Sequence, residues 1–158
     1  MIVLGIDPGL QVCGYAVVDG DSEKLLEAGI FRTDASKELA GRLGQIADDI
    51  DAILKKFTPG VVAVEELYSH YNHPKTAILM GHARGVILQR AAEANAEVRS
   101  FAATKIKKSL TGNGRASKEQ MQRAIQSVLG LAEPPEPNDV ADAAAIALCC
   151  VNKMKVSQ

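Results

Sequence analysis

The sequence predicts an α/β fold of five short strands interspersed with helices, and three observations carry that reading. Apolar runs of strand length open the chain at Ile2–Ile6 and recur at Val61–Val64, with the composition of strands buried on both faces. Val12–Val18 and Leu25–Thr33 flank Asp19-Gly20-Asp21, a hairpin signal. Apolar residues at helical spacing follow in blocks, so a meander of three strands precedes the helices, unlike the strict alternation of a doubly wound sheet. At 158 residues the chain suffices for one cored domain and is too short for two, so 1–158 is read as a single domain.

The first strand stops at Asp7 because Pro8 has no N–H for a ladder and Gly9 opens a turn. Asp7 therefore stands at the last rigid position of a central strand, where open α/β sheets place their ligands. Asp also caps turns for local reasons, so this residue alone decides nothing. A helix is expected from about Ser36 to Phe57, where Leu39, Leu43, Ile46, Ile50, Ile53 and Leu54 share a face, and Thr58-Pro59-Gly60 ends it. Val61–Val64 also runs into carboxylates, Glu65 and Glu66. Strand alternation sends those two to opposite faces, so only one of them is expected to join Asp7.

Tyr68, Tyr71 and Asn72 mark a loop closed by Pro74, and His70 and His73 belong to it. From about Lys75 to Ala94 the pattern is a helix apolar nearly all round, which requires burial on more than one side. One side is assigned to the sheet and the other to a second copy of the chain, with Gly81 and Gly85 permitting close contact and His82 in the core or the interface. Val98–Phe101 is the fifth strand, Ala103–Leu110 a short basic helix, and Ser117 the cap of a helix reaching about Leu129. Asn138 is placed as the cap of a last helix running to about Val151.

Net charge is −1, which by itself points to no polyanion. Its distribution is uneven: acids dominate Asp19–Asp51, whereas Arg99, Lys105, Lys107, Lys108, Arg115, Lys118 and Arg123 face only Glu119. A basic face of that kind attracts a polyanion, although a solvated helical surface gives the same count. Cys13, Cys149 and Cys150 lack CxxC spacing, which argues for a reducing compartment and against disulfides or zinc. No apolar stretch approaches membrane-spanning length and no charged leader precedes the first strand, so a cytoplasmic protein with no membrane partner is expected. GxxxxGK[ST] is absent, so the Gly-bearing loop Thr111–Arg115 is no Walker phosphate loop.

The last helix opens Asn138-Asp139-Val140-Ala141-Asp142, and the i, i+3 spacing puts both acids on one face of its first turn. The helix dipole favours acids there in any case. The rest of that helix, Ala143–Cys150, is nearly all apolar and must pack on the sheet, which brings its leading edge to the strand ends. Asp7, Glu65, Asp139 and Asp142 are then expected to converge. Gathered without a cation they repel and their pKa values rise. Mg²⁺ or Mn²⁺, which prefer oxygen ligands, relieve that repulsion, and several carboxylates suit a pair of ions acting on a phosphodiester.

GIDPG with GYAVV, then VAVEELY, the GHARG helix and NDVADAAAIA resemble, in that order and over essentially the whole chain, the RuvC family of Holliday-junction resolvases. The resemblance implies a ribonuclease H-like fold, a five-stranded mixed sheet flanked by helices. It implies a homodimeric endonuclease that nicks opposing strands of four-way junction DNA with Mg²⁺ or Mn²⁺, partnered by a junction-binding and branch-migration complex. Position by position it assigns the metal-binding acids to Asp7, Glu65, Asp139 and Asp142. It matches Tyr68 to an aromatic presented to bases, a stacking role, and Lys107 and Lys118 to phosphate contacts. Arg115 and Lys108 join them on the basic cluster alone. Glu66 departs from the family pattern, where an uncharged polar residue is expected. Three other readings stand beside this one: an RNA–DNA hybrid nuclease of the same fold, a non-catalytic junction binder, and a nucleotide-binding domain of the actin and sugar-kinase type. The intact acids count against the second, and the length leaves no room for the second lobe that the third needs.

Overall fold

The computed structural model of the chain describes residues 1–67 and 73–156, so Tyr68, His70, Tyr71 and Asn72 lie outside the described residues. Five strands, β1 (Ile2–Asp7), β2 (Val12–Asp19), β3 (Lys24–Arg32), β4 (Val61–Glu65) and β5 (Glu97–Phe101), form one sheet in the order β3-β2-β1-β4-β5. β1, β2 and β3 pair antiparallel, and β1, β4 and β5 pair parallel, which makes the sheet mixed. Helices α1 (Leu39–Phe57) and α2 (Pro74–Glu93) cover one face; α3 (Ala103–Thr111), α4 (Lys118–Leu129) and α5 (Asn138–Val156) cover the other.

β1 is the middle strand, and its alternation sets the two cores. Leu4 and Ile6 pack with Ile46, Ile50 and Ile87 of α1 and α2, whereas Val3 packs with Ala144 and Leu148 of α5. Val3, Leu4 and Ile6 have no exposed surface, and each contributes about 1.5–3 kcal/mol of burial. Asp7 follows the parity of Val3 and Gly5, and Glu65 that of Val61 and Ala63, so both acids belong to the α5 face.

α5 reaches the sheet because the sheet offers it two positions without side chains. A Cβ at Gly5 would stand 2.2 Å from the Ala143 carbonyl oxygen, and one at Gly14 would stand 2.0 Å from that of Asp139. With alanines on the helix side, the α5 backbone lies directly on β1 and β2. Gly14 pairs with Asp7, so the contact at Asp139 holds the first turn of α5 over the end of β1.

Two helices begin differently from the sequence expectation. α1 begins at Leu39 rather than near Ser36, because Asp34 Oδ1 accepts from the Ser36 amide (2.9 Å) and hydroxyl (2.6 Å) and turns the chain there. α5 includes Asn138 in its first turn instead of using it as a cap, and runs on to Val156. On α2, Ala83, Ile87 and Ala91 form the stripe buried against the sheet, while Ile78, on the side assigned to a second copy, is 62% exposed in the single chain. His82 is exposed and outside the core, being on the far side of the helix from that stripe. Cys13, Cys149 and Cys150 are free and buried, and burial raises the Cys13 and Cys150 thiols to about 11. Among the described residues no helix is long and apolar enough to cross a membrane.

Candidate active site

Two strand ends and one helix start meet at the carboxyl edge of the sheet. The parallel register Ile6↔Val64 brings Asp7 and Glu65 to neighbouring positions at the ends of β1 and β4. The start of α5 adds Asp139, in its first turn, and Asp142, three residues on. Glu65 is the wall between two cavities. One, of about 600 Å³, is lined by Asp7, Pro8, Glu66, Leu67, Met80 and Arg84. The other, of about 280 Å³, is lined by Asp142 with Lys107, Lys118, Met121 and Gln122.

Asp7, Glu65 and Asp142 are perturbed together. Burial, reinforced by the charges of Asp142, Glu65 and Asp139, pushes the Asp7 carboxyl up to about 7. Glu65 is raised by burial and by Asp142, and drawn back by Lys107. Asp142 is also raised, by burial and by Asp139, against the pull of Lys118 and Lys107; it is exposed, so solvent screens much of that perturbation. No hydrogen bond or ion pair among the described residues engages any of the four carboxylates, whose lone pairs are left for a ligand. Nor do any three His, Cys, Asp or Glu side chains among the described residues close into a ready-made cage. The acids interact through charge, not contact. All their donors are carboxylate oxygens, a set that fits hard divalent cations.

The structure brings Lys107 and Lys118 to this site and leaves the other two candidate cations away from it. Lys107 is half-buried on α3. Lys118 opens α4, where a capping box fixes the turn: Ser117 Oγ accepts from the Gln120 amide (3.2 Å), and the Ser117 amide donates to Gln120 Oε1 (2.8 Å). Lys108, one residue round α3 from Lys107, lines a separate groove with Lys105, Ser109 and Asn152. Arg115 is exposed in the α3–α4 loop, where its amide donates to Asn113 Oδ1 (2.9 Å), and it lines neither acid cavity. Tyr68, the stacking candidate, lies outside the described residues. Glu66 is exposed and still lines the larger cavity, because β4 ends at Glu65 and the pleat no longer separates the pair.

Arg84 was not legible as a site residue. It comes from α2, donates through Nε to the Glu65 carbonyl oxygen (3.2 Å) and through Nη2 to Ser100 Oγ (2.8 Å), and lines the Asp7 cavity. The available signal was a guanidinium in the middle of α2, between the apolar runs Ala77–Met80 and Val86–Leu88.

The family model described as "Crossover junction endodeoxyribonuclease RuvC" matches residues 3–150. A relative with that name from Rhodopirellula baltica is 47% identical over 149 residues, 93% of this chain and 84% of the relative. Another from Heliobacterium modesticaldum is 42% identical over 156 residues, 98% of this chain and 96% of the relative. Among solved structures, Thermus thermophilus RuvC in complex with Holliday junction substrate superposes with a TM-score of 0.93 at 34% identity, covering 99% of this chain and 96% of that one. The mixed sheet with helices on both faces is accordingly a ribonuclease H-like fold. With matches of this identity and coverage, the chain belongs to the RuvC family of crossover junction endodeoxyribonucleases.

Proposed function

We propose that this protein resolves four-way DNA junctions by paired, symmetric phosphodiester hydrolysis, with Asp7, Glu65, Asp139 and Asp142 as the metal-binding carboxylates. The observation that carries the reading is the convergence of four unpartnered acids, whose charges add to burial in raising Asp7 to about 7. Two Mg²⁺ or Mn²⁺ ions at this site would supply activation of a water and stabilisation of the leaving oxygen. The chain's own groups do the rest. Asp7 and Glu65 are fixed by strand register, Asp139 and Asp142 by the packing of α5 on Gly5 and Gly14. Lys107 and Lys118 stand where a scissile strand's phosphates would meet them, with Lys108 and Arg115 contributing further out, and Tyr68 is the aromatic assigned to base stacking.

Two copies act together in this reading. α2 keeps Ile78 and His82 exposed, and the space a Cβ at Gly85 would enter is open, which leaves a face for the partner. Two sites per dimer suit two nicks. The whole chain, 1–158, serves as one nuclease domain in the cytoplasm, alongside a junction-binding and branch-migration complex. The test is nicking of a junction whose branch point migrates through varied sequence, beside linear duplex and an RNA–DNA hybrid, with Mg²⁺, Mn²⁺ or chelator. Symmetric nicks confined to the junction and lost with chelator are expected. Cleavage of hybrid alone, or tight junction binding without nicks under either metal, would overturn the proposal.

A further inference from the structure

The end of β4 lacks a donor that a parallel ladder normally supplies. The peptide between Glu65 and Glu66 gives its N–H to the Phe101 carbonyl of β5 (2.9 Å), so its carbonyl, trans to that N–H, turns toward β1. The register Gly5↔Ala63, Ile6↔Val64 puts the amide of residue 8 next in line to donate. Residue 8 is proline and has no N–H. The residue that ends β1 behind Asp7 thus strips the Glu65 carbonyl of its ladder partner, and an unpaired backbone carbonyl at a strand end is free to drift or costly to bury.

Arg84 fills that place. Its Nε donates to the Glu65 carbonyl oxygen at 3.2 Å, and its Nη2 donates to Ser100 Oγ on β5 at 2.8 Å. One planar guanidinium therefore joins α2 to the ends of β4 and β5, a fork that the single ammonium of a lysine cannot reproduce. We infer that Arg84 is a positioning residue: it substitutes for the missing Pro8 amide and holds the backbone of Glu65, so that the Glu65 carboxylate presents itself to the metal site. This rests on the reading of Glu65 as a metal ligand.

The experiment compares wild type, Arg84→Met, Arg84→Lys, Pro8→Ala and Pro8→Ala/Arg84→Met as full chains. The readouts are Mn²⁺ affinity by calorimetry without DNA, exchange of the Glu66 amide, and kcat and KM on a four-way junction. Arg84→Met is expected to lose about 10–100-fold in Mn²⁺ affinity and in kcat, as removal of a ligand-orienting partner does, with KM changed by less than about threefold. Faster Glu66 exchange accompanies the loss, and Arg84→Lys recovers part of it. In the Pro8→Ala background, where residue 8 regains an N–H, the loss from Arg84→Met shrinks, a non-additivity that a general structural role would not produce. Should Arg84→Met fail to fold, Arg84→Gln, able to reach one acceptor at a time, carries the comparison. Unchanged Mn²⁺ affinity and kcat with a raised KM would make Arg84 a DNA contact and overturn the inference, as would an equal loss in both Pro8 backgrounds. A wild type that binds Mn²⁺ and leaves junctions intact overturns the functional reading alone, and the Mn²⁺ comparison still decides the role of Arg84.

Discussion

Replacing Asp7 by Asn should stabilise the metal-free protein while abolishing its activity. The Asp7 carboxyl is raised from an ordinary 3.8 to about 7, first by burial and then by the charges of Asp142, Glu65 and Asp139. A folded-state value above the unfolded one means that the native state binds more protons between about pH 4 and pH 7, so stability falls as pH rises through that window and is level above it. At 1.36 kcal/mol per pH unit, the ionised carboxylate costs at most about 4 kcal/mol at pH 8 and about 2 kcal/mol at pH 5. Asn removes the charge at nearly constant shape and also eases Glu65. After allowance for a buried amide, Asp7→Asn is expected to gain about 2–4 kcal/mol at pH 8. At about 3 °C per kcal/mol for a chain of this length, that is a rise in Tm of roughly 6–12 °C. Thermal and urea unfolding of both proteins in chelator, at pH 5 and pH 8, measures it. The gap should narrow at pH 5, and Mg²⁺ should stabilise wild type more than the variant. A variant no more stable than wild type at pH 8, or a gap that does not change with pH, would refute the claim that burial and the neighbouring acids hold the Asp7 carboxyl high.

Four further perturbations follow from the same geometry. Gly14→Ala pushes a methyl to within 2.0 Å of the Asp139 carbonyl oxygen, so the start of α5 must lift, at a cost of about 1–3 kcal/mol with a drop in Mn²⁺ affinity. Gly44→Ala, in an open position on α1, should instead gain about 0.5–1 kcal/mol in urea unfolding and leave Mn²⁺ binding alone. Lys118→Met removes the cation that holds Asp142 down, so the acid limb of the pH–rate profile for junction nicking should move to higher pH; an unmoved limb contradicts the assignment. Ser117→Ala deletes the α4 capping box and should cost about 1 kcal/mol, read as a lower urea midpoint with unchanged slope.

The strands and the four acids were legible because each is announced locally. Asp7 before Pro8-Gly9, Glu65 at the end of Val61–Val64, and the i, i+3 pair on an apolar helix need no tertiary information to be placed at element ends. The glycines that let α5 descend were not legible, since Gly5 and Gly14 matter only through what crosses them, the Ala143 and Asp139 carbonyls. Which side of α2 meets the sheet was not legible for a related reason: its alanines and glycines satisfy an apolar pattern on every side, and the fold selects Ala83, Ile87 and Ala91. Lys107 and Lys108 look equivalent in the chain and part company in the fold, because successive helical residues diverge by about 100°. Arg84 escaped because its partners are a backbone carbonyl and the Ser100 hydroxyl, neither of which forms a motif with it in the sequence.

The most direct test of the central claim is Mn²⁺ titration of the DNA-free protein by calorimetry, repeated with Asp7→Asn, Glu65→Gln, Asp139→Asn and Asp142→Asn. If the four carboxylates form one metal centre, each single amide weakens Mn²⁺ binding by at least tenfold, and Glu66→Gln does not. Wild-type affinity retained by all four variants would contradict the claim.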